Sequence, residues 1–349
     1  MATGAVALQR IFVKKAYAHA GVDVDLGNKL KRQIHSLVRH THGPQVLGKM
    51  GGFGGLFRAN FSGIRDPVLV ASVDGVGTKL KIAFAMNKHD TVGADLVNHC
   101  VNDIAVLGAH PLFLLDYIGC EKLEPKVFRQ LLRGLSLACR SAGCALLGGE
   151  TAQMPGMYRK SEYDLAGCIV GVVDRAQIID GSKIQPSDVV LGLPSNGLHT
   201  NGYSLARKIL FEKMRLKPDS SLPGSTASVG KELLRVHKNY QPLLEKFTKR
   251  LIKGLAHITG GGLIDNLPRI LPQNCDAVIE TKSWRVPRIF QILQQNGDVD
   301  AAEMYQVFNM GIGMVVIVAR QDAQRAKSIL RAKEIGRIER GSGKTVLKL

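Results

Sequence analysis

Residues 71–83 read ASVDGVGTKLKIA. An apolar run from Pro67 to Val73, with the character of a buried strand, gives way to an acid, Asp74. Gly75 and Gly77 follow, then Thr78 and Lys79. Alone, an Asp-Gly pair at a strand end is a charged turn. It is also a place where an α/β protein sets polar groups before a ligand, outside the carboxyl ends of its strands. Which of the two holds depends on the company these residues keep.

Outward from this stretch, strand-like and helix-like runs alternate. PVLVASV, LFLLDYI and DLAGCIVGVV are apolar, partly β-branched and bounded by turn residues, which predicts strands. PKVFRQLLRGLSLACRSA places Pro125 early and apolar residues at Val127, Leu131, Leu132, Leu135 and Ala138, the spacing of a helix. A second cycle opens with DVVLGLP and NGYSLARKILFEKM and continues through LAHIT, GGLIDNLPRIL and DAVIE. It closes with VFNMGIGMVVIVAR and a helix near Asp322–Glu334. Residues 174–188, DRAQIIDGSKIQPSD, form the natural joint. The expected fold class is α/β (α+β), as two α/β domains over residues 1–175 and 176–349, a division that a chain of 349 residues suits.

Composition narrows the function. With 45% hydrophobic and 22% charged residues there is material for a core. No apolar stretch nears the ~20 residues that span a bilayer. The first 16 residues, MATGAVALQRIFVKKA, carry Arg10, Lys14 and Lys15 and no acid. Short and serine-free, they read as an ordinary extension in preference to an organelle presequence. The six cysteines show no CxxC pair, and most lie in apolar runs where a thiol acts as a small hydrophobe. That usage fits a reducing compartment and a cytoplasmic address.

Net charge is +18 and uneven: twelve Lys/Arg stand against four acids between Arg207 and Lys253, and nine against three from Arg320 onward. Such an excess raises nucleic-acid binding as an alternative. Only 5% of residues are aromatic, and no RNP, zinc-finger or KH pattern occurs. The basic residues also alternate with Leu233, Leu234, His237, Tyr240, Leu243 and Leu244, as on a solvated helix face. No specific nucleic-acid site is expected.

In DLVNHCVND (95–103) the polar residues Asp95, Asn98, His99, Asn102 and Asp103 share one helix face. A solvated face has the same pattern. Yet two acids and two amides stand here without Lys or Arg in a strongly basic chain, a setting for Mg²⁺. GKMGGFGGLF (48–57) holds five glycines, which let backbone N–H groups approach phosphate, or simply form a surface loop. GSGKT at 341–345 imitates a P-loop but has Ile338 where glycine is required, and only four residues follow Thr345. It is set aside. Glu150 follows the strand-like CALLGG; His199, Thr200 and Asn201 precede one helix, and Thr259 with Gly260, Gly261 and Gly262 opens another. Each alone is a cap or turn. Together, at element ends, they fit ligand binding in an α/β protein.

AGVDVDLGN (20–28), GGFGG, DGVGTKL, VNDI, GGETAQMPGMY, SNGLHTNGYSL, TGGGLIDNLPR and FNMGIGM occur in the order found in phosphoribosylformylglycinamidine cyclo-ligase, or aminoimidazole ribonucleotide synthetase. The chain resembles that family from about Tyr17 to near its C-terminus. Gln153, Leu263 and Asp265 depart from the common Glu, Phe and Glu, so Gln153 receives no acidic role. The resemblance implies an ATP-dependent ring closure. ATP phosphorylates the formyl amide oxygen of formylglycinamidine ribonucleotide, an amidine nitrogen attacks that carbon, and phosphate leaves.

By the same resemblance Asp74, Asp95, Asp103 and Glu150 hold Mg²⁺. Lys79, Thr78, Asn102, Gly149 and the glycines Gly51, Gly52, Gly54 and Gly55 meet ATP and its phosphates. Asp74, Asp103, His199 and Lys79 are catalytic, and Thr200, Asn201, Thr259 and Gly260–Gly262 grip the substrate. A homodimer is implied, with the first-domain strands joined in a shared barrel. The alternatives are another ATP-dependent kinase or synthetase of the same superfamily and, in a different class, a basic nucleic-acid-binding protein.

Overall fold

The structure, a computed structural model, describes residues 17–48 and 52–349; the N-terminal extension and Gly51 lie outside the described residues. Helix α1 (Val24–Arg39) begins where Asp23 accepts the Leu26 N–H at 2.9 Å. Strands β1 (Val46–Leu47) and β2 (Leu56–Phe57) pair antiparallel and close off the glycine-rich loop.

Strand β3 (Pro67–Gly75) runs past Val73, so Asp74 lies within the strand and not beyond it. The expectation of a buried strand also fails. Burial alternates along β3, and Leu69 and Val73 are 62% and 71% exposed. A short apolar run does not reveal whether one face is covered or two.

The mixed α/β architecture continues with α2 (Leu80–Met86), α3 (Asp90–Ala105), β4 (His110–Cys120), α4 (Pro125–Ser141), β5 (Ala145–Gln153) and β6 (Tyr163–Asp174). Pro125 opens α4 at a position whose N–H has no intrahelical partner. β4, α4 and β5 form a parallel crossover unit, within a four-stranded sheet ordered β3-β6-β4-β5. Beyond the joint come β7 (Val189–Pro194), α5 (Tyr203–Arg207), α6 (Val229–Leu233), α7 (Gln241–Leu244), β8 (Ile252–His257), α8 (Gly262–Asn266) and β9 (Cys275–Glu280). Then follow α9 (Arg288–Gly297), α10 (Ala301–Val307), β10 (Ile312–Val318), α11 (Ala323–Leu330), β11 (Lys333–Arg340) and β12 (Thr345–Lys348). The six-stranded sheet is ordered β12-β9-β11-β7-β10-β8 and is antiparallel except for β12 against β9.

The chain gathers into two compact units. One holds the described chain up to Asn60, Val73–Val97 and Phe113–Cys168; the other holds Phe61–Ser72, Asn98–Leu112 and Ile169–Leu349. In the second, Leu191 and Leu193 of β7, Met314, Val316 and Val318 of β10, and Ala326 and Leu330 of α11 share a core with Tyr240 and Phe247.

Two sequence readings need correction here. The helix expected to reach Glu334 stops at Leu330, where Arg331 turns left-handed (φ 51°) and β11 begins. The stretch around Leu233–Leu244 is no solvated helix. α6 and α7 are short, the chain between them is irregular, and Leu233, Leu234, His237, Tyr240 and Leu244 are buried. Their spacing serves a buried segment held by side chains, not by helical carbonyls.

The rejected P-loop is a turn wrapped on Asp276, whose Oδ1 accepts from the N–H groups of Ser342 and Lys344 at 2.7 and 2.8 Å. These bonds hold that carboxyl below its usual range. Backbone donors that elsewhere cradle a phosphate here cradle the chain's own acid.

Helices α3 and α4 approach closely. A Cβ on Gly134 would strike the carbonyl of Asp90, and one on Gly93 that of Leu131. Gly134→Ala raises helix propensity by about 1 kcal/mol in an open helix. Here overpacking costs roughly 1–3 kcal/mol and should dominate. Thermal melting is expected to show a lower midpoint for Gly134→Ala; a higher one would mean that the two helices have room to part.

Candidate active site

In the first unit, β3 delivers Asp74 to a tight turn. Its Oδ1 accepts the Gly75 N–H at 2.6 Å, and Gly77 takes φ +65°, a conformation open to glycine. The turn Gly77–Lys79 then sends Lys79 inward. Its Nζ lies 2.9 Å from Asp95 Oδ1 on α3, and both side chains are fully buried. Burial lowers the Lys79 ammonium below the usual lysine value, against the opposing pull of Asp95. Two residues expected to face phosphate and metal are thus placed on each other in a dry interior.

Thr78 is exposed, as are Gly52, Gly54 and Gly55 of the β1–β2 loop, with Phe53 at its tip. Glu150 is exposed on β5, its Oε1 accepting the Thr151 N–H at 2.6 Å. Gly149 is required by its neighbour, since a Cβ there would strike Asp116 on β4. Burial pushes the Asp116 carboxyl up to about 7. No feature of LFLLDYI had set that acid apart.

In the second unit, the polar face of α3 is buried at His99 and Asn102, partly buried at Asn98 and Asp103, and bonded to the chain around it. Asn98 Nδ2 donates to the His237 carbonyl at 2.6 Å, and Asn102 Nδ2 to the Lys238 carbonyl at 2.8 Å. Asn102 Oδ1 accepts the Tyr240 N–H at 2.9 Å. The amide of Asn102, expected at a phosphate, is spent on the backbone of 238–240. Both amides supply the bonds that a helix through this segment would have made internally.

The clamped segment carries His237 into a group of four imidazoles. His257, at the end of β8, has its Nδ1 2.7 Å from Asp103 Oδ1, and Ser72 Oγ donates to Asp103 Oδ2 at 3.3 Å. His237 Nε2 stands 2.9 Å from His257 Nε2, and His237 Nδ1 stands 3.2 Å from Thr200 Oγ1. His99 Nδ1 is 2.8 Å from the same hydroxyl. His199 stacks on His237 with centroids 4.1 Å apart and planes 21° apart.

One proton per contact fixes the direction. A carboxylate only accepts, so His257 donates from Nδ1 and presents its Nε2 lone pair. His237 then donates from Nε2, Thr200 donates to His237 Nδ1, and His99 donates to Thr200.

Backbone strain accompanies the cluster. His199 is left-handed at φ 64°, and a Cβ on Gly313 would come 2.5 Å from His199 Cε1. Left-handed non-glycine residues cost of order 1–3 kcal/mol and gather at functional sites. The two loops expected to hold substrate also meet: a Cβ on Gly260 would stand 3.3 Å from Asn201 Oδ1. Gly261 and Gly262 take φ +93° and +56°, and Thr259 precedes them at the entry to α8. Asn309 ties this region together, donating to the Gly197 carbonyl at 2.9 Å and accepting from Ser195 Oγ at 2.9 Å.

Sequence reasoning gave no role to His99, His237, His257 or Asn309. The histidines are too far apart in the chain for any ligand spacing to show.

Among the described residues, the groups of three or more potential metal ligands are His199–His237–His257 and His99–Asp103–His257. Neither includes Asp74, Asp95 or Glu150.

The two halves of the chain each match a family model, which defines a two-domain protein of the AIR synthase type. The family described as "AIR synthase related protein, N-terminal domain" matches residues 62–173, and its C-terminal counterpart matches 185–348. Hydrogenase maturation protein HypE in complex with ATP superposes with a TM-score of 0.64 at 18% identity, over 90% of each chain. Thiamine-monophosphate kinase from Stenotrophomonas maltophilia K279a gives 0.64 at 16%, over 92% of this chain and 95% of the other. At such identities the likeness is one of fold.

Curated relatives are nearer. A phosphoribosylformylglycinamidine cyclo-ligase of Syntrophotalea carbinolica is 53% identical over 312 residues, 89% of each chain. One of Syntrophus aciditrophicus is 49% identical over 336 residues, 95% of this chain and 97% of its own. The chain belongs to the phosphoribosylformylglycinamidine cyclo-ligase family.

Removing one member of a buried ion pair leaves a bare charge inside, at a cost of about 3–5 kcal/mol. Asp95→Ala should therefore lower unfolding free energy by about that amount in denaturant titrations. A loss below ~1 kcal/mol, the range of exposed pairs, would show that Lys79 reaches solvent.

Proposed function

We propose that this chain closes formylglycinamidine ribonucleotide to aminoimidazole ribonucleotide, with ATP converted to ADP and phosphate. One observation carries the reading: identity of 53% over 89% of both chains with a relative of that name. A kinase or another synthetase of the superfamily is not favoured, because the thiamine-monophosphate kinase of like fold shares only 16% identity.

An amide oxygen leaves poorly until it is phosphorylated, and phosphoryl transfer needs its negative charge neutralised. Mg²⁺ supplies that charge when bound. The donors present suit it, since Mg²⁺ takes one or two carboxylates and completes its shell with water and phosphate oxygens. Asp74, partly exposed beside its turn, and Glu150, exposed on β5, are of that kind. Asp95 acts at one remove by holding Lys79.

The loop with Gly52, Gly54 and Gly55, together with Thr78 and Gly149, serves ATP. In the second unit Asp103 orients His257, while Thr200, Asn201, Thr259 and Gly260–Gly262 take the ribonucleotide. His199 moves a proton as the amidine nitrogen attacks.

The first domain (1–175) thus serves nucleotide and the second (176–349) completes the substrate end. The exposed apolar face of β3, with Leu69 and Val73, supports a homodimer in which first-domain strands join in a barrel. Six free cysteines, five of them buried, suit the reducing cytoplasm. No described helix is long and apolar enough to cross a membrane.

Incubation with ATP and formylglycinamidine ribonucleotide should yield an aminoimidazole with equal ADP and phosphate; ATP consumption without imidazole would refute the reading. Asp74→Asn is nearly isosteric and should keep its melting temperature while turnover falls roughly 100-fold or more. Turnover near wild type at saturating Mg²⁺ would remove Asp74 from the site.

His199→Ala should depress cyclisation more than nucleotide affinity. Unchanged turnover with a lower melting temperature would assign His199 to packing alone.

A further inference from the structure

Four of the chain's ten histidines meet in the second unit, and an orienting role for Asp103 does not require so many. Ligand atoms of His199, His237 and His257 lie within 4.8 Å of one another, and all three residues are buried. We propose that these three imidazoles form a binding site for a borderline divalent transition ion of the Zn²⁺, Co²⁺ or Ni²⁺ class, distinct in chemistry from the carboxylate donors suited to Mg²⁺.

His237 Nε2 and His257 Nε2 point at each other across 2.9 Å and share a single proton between them. Two nitrogens on one tetrahedral ion, each at ~2.0–2.1 Å, stand about 3.3 Å apart. Moving the shared proton to His237 Nδ1 and seating the ion between the two Nε2 atoms therefore opens the pair by only a few tenths of an ångström. His199 has a ring nitrogen within 4.8 Å of the other two ligand atoms and adds a third once its ring turns out of the stack on His237.

Metal-binding histidines almost always have the other ring nitrogen held by a carboxylate, carbonyl or hydroxyl, which fixes the tautomer and sharpens the donor. His257 Nδ1 is held by Asp103 at 2.7 Å, and His237 Nδ1 stands 3.2 Å from the Thr200 hydroxyl. Both Nε2 atoms are thereby turned inward: Asp103 already holds the binding tautomer of His257, and the Thr200 hydroxyl has only to turn and accept from His237 Nδ1 for His237 to match it.

Imidazole sets favour Zn²⁺, Co²⁺ and Ni²⁺, whereas Mg²⁺ prefers oxygen. An ion here also engages His199, the residue assigned to proton transfer, so the site can withhold that imidazole from the reaction.

The test is Co²⁺ titration of the chelator-treated full-length protein. Expected are one Co²⁺ per chain, visible d–d bands of tetrahedral intensity, bleaching by Zn²⁺ and indifference to excess Mg²⁺. His237→Gln keeps a hydrogen-bonding side chain but loses the imidazole, and should weaken binding by ~10–100-fold or more. His40→Gln, at an exposed imidazole, should not alter it.

Absent bands, or bands unchanged in His237→Gln, would overturn the proposal. Should that variant fail to fold, X-ray absorption of the wild-type protein with Zn²⁺ decides: two or three imidazole nitrogens in the shell support the site, and none or one contradicts it.

Discussion

The 2.7 Å contact between Asp103 and His257 is the constraint on which the second unit's site depends. A carboxylate accepts without donating, so it fixes the tautomer of His257, and through it those of His237 and His99 and the direction of the Thr200 hydroxyl. One acid on a helix thereby sets the direction of every polar hydrogen along a buried row. Networks of this kind are stable only when each member is satisfied, because an unpaired polar group in a dry interior costs about 1–3 kcal/mol. The surrounding backbone is shaped to meet that demand. Asn98 and Asn102 hold 237–240 without a helix, Gly313 gives His199 room, and His199 itself accepts a left-handed conformation.

The two units divide the chemistry by donor type. The first offers oxygen donors, Asp74 and Glu150, with Lys79 and Asp95 closed on each other behind them. That arrangement suits hard cations and phosphate. The second offers imidazoles and hydroxyls, groups that take and return protons near neutral pH.

Much of this was legible from residue types. The alternation of strands and helices, Pro125 at the start of α4 and the rejection of GSGKT follow from local rules of turns, caps and spacing. Other features depend on distance in the chain and had no local signal. The six apolar and His residues of 233–244 fit a helical period, yet they belong to an irregular segment whose bonds come from α3, more than 130 residues earlier. Asp95 and Lys79 were both recognised, but no spacing shows that two charged groups 16 residues apart will bury each other. The histidine group joins residues 99, 199, 237 and 257, so its existence is a property of the fold. The exposed face of β3 is hidden for a different reason, because β-branched runs read alike whether one or both faces are covered.

The central claim is that an amide oxygen is activated by phosphorylation and then expelled as the ring closes. It is tested most directly by labelling the formyl oxygen of formylglycinamidine ribonucleotide with heavy oxygen and analysing the products by mass spectrometry. The account predicts that each aminoimidazole formed is matched by one phosphate carrying the label. Label released to water, with unlabelled phosphate, would mean that ATP is split by water and the ring closes by another route.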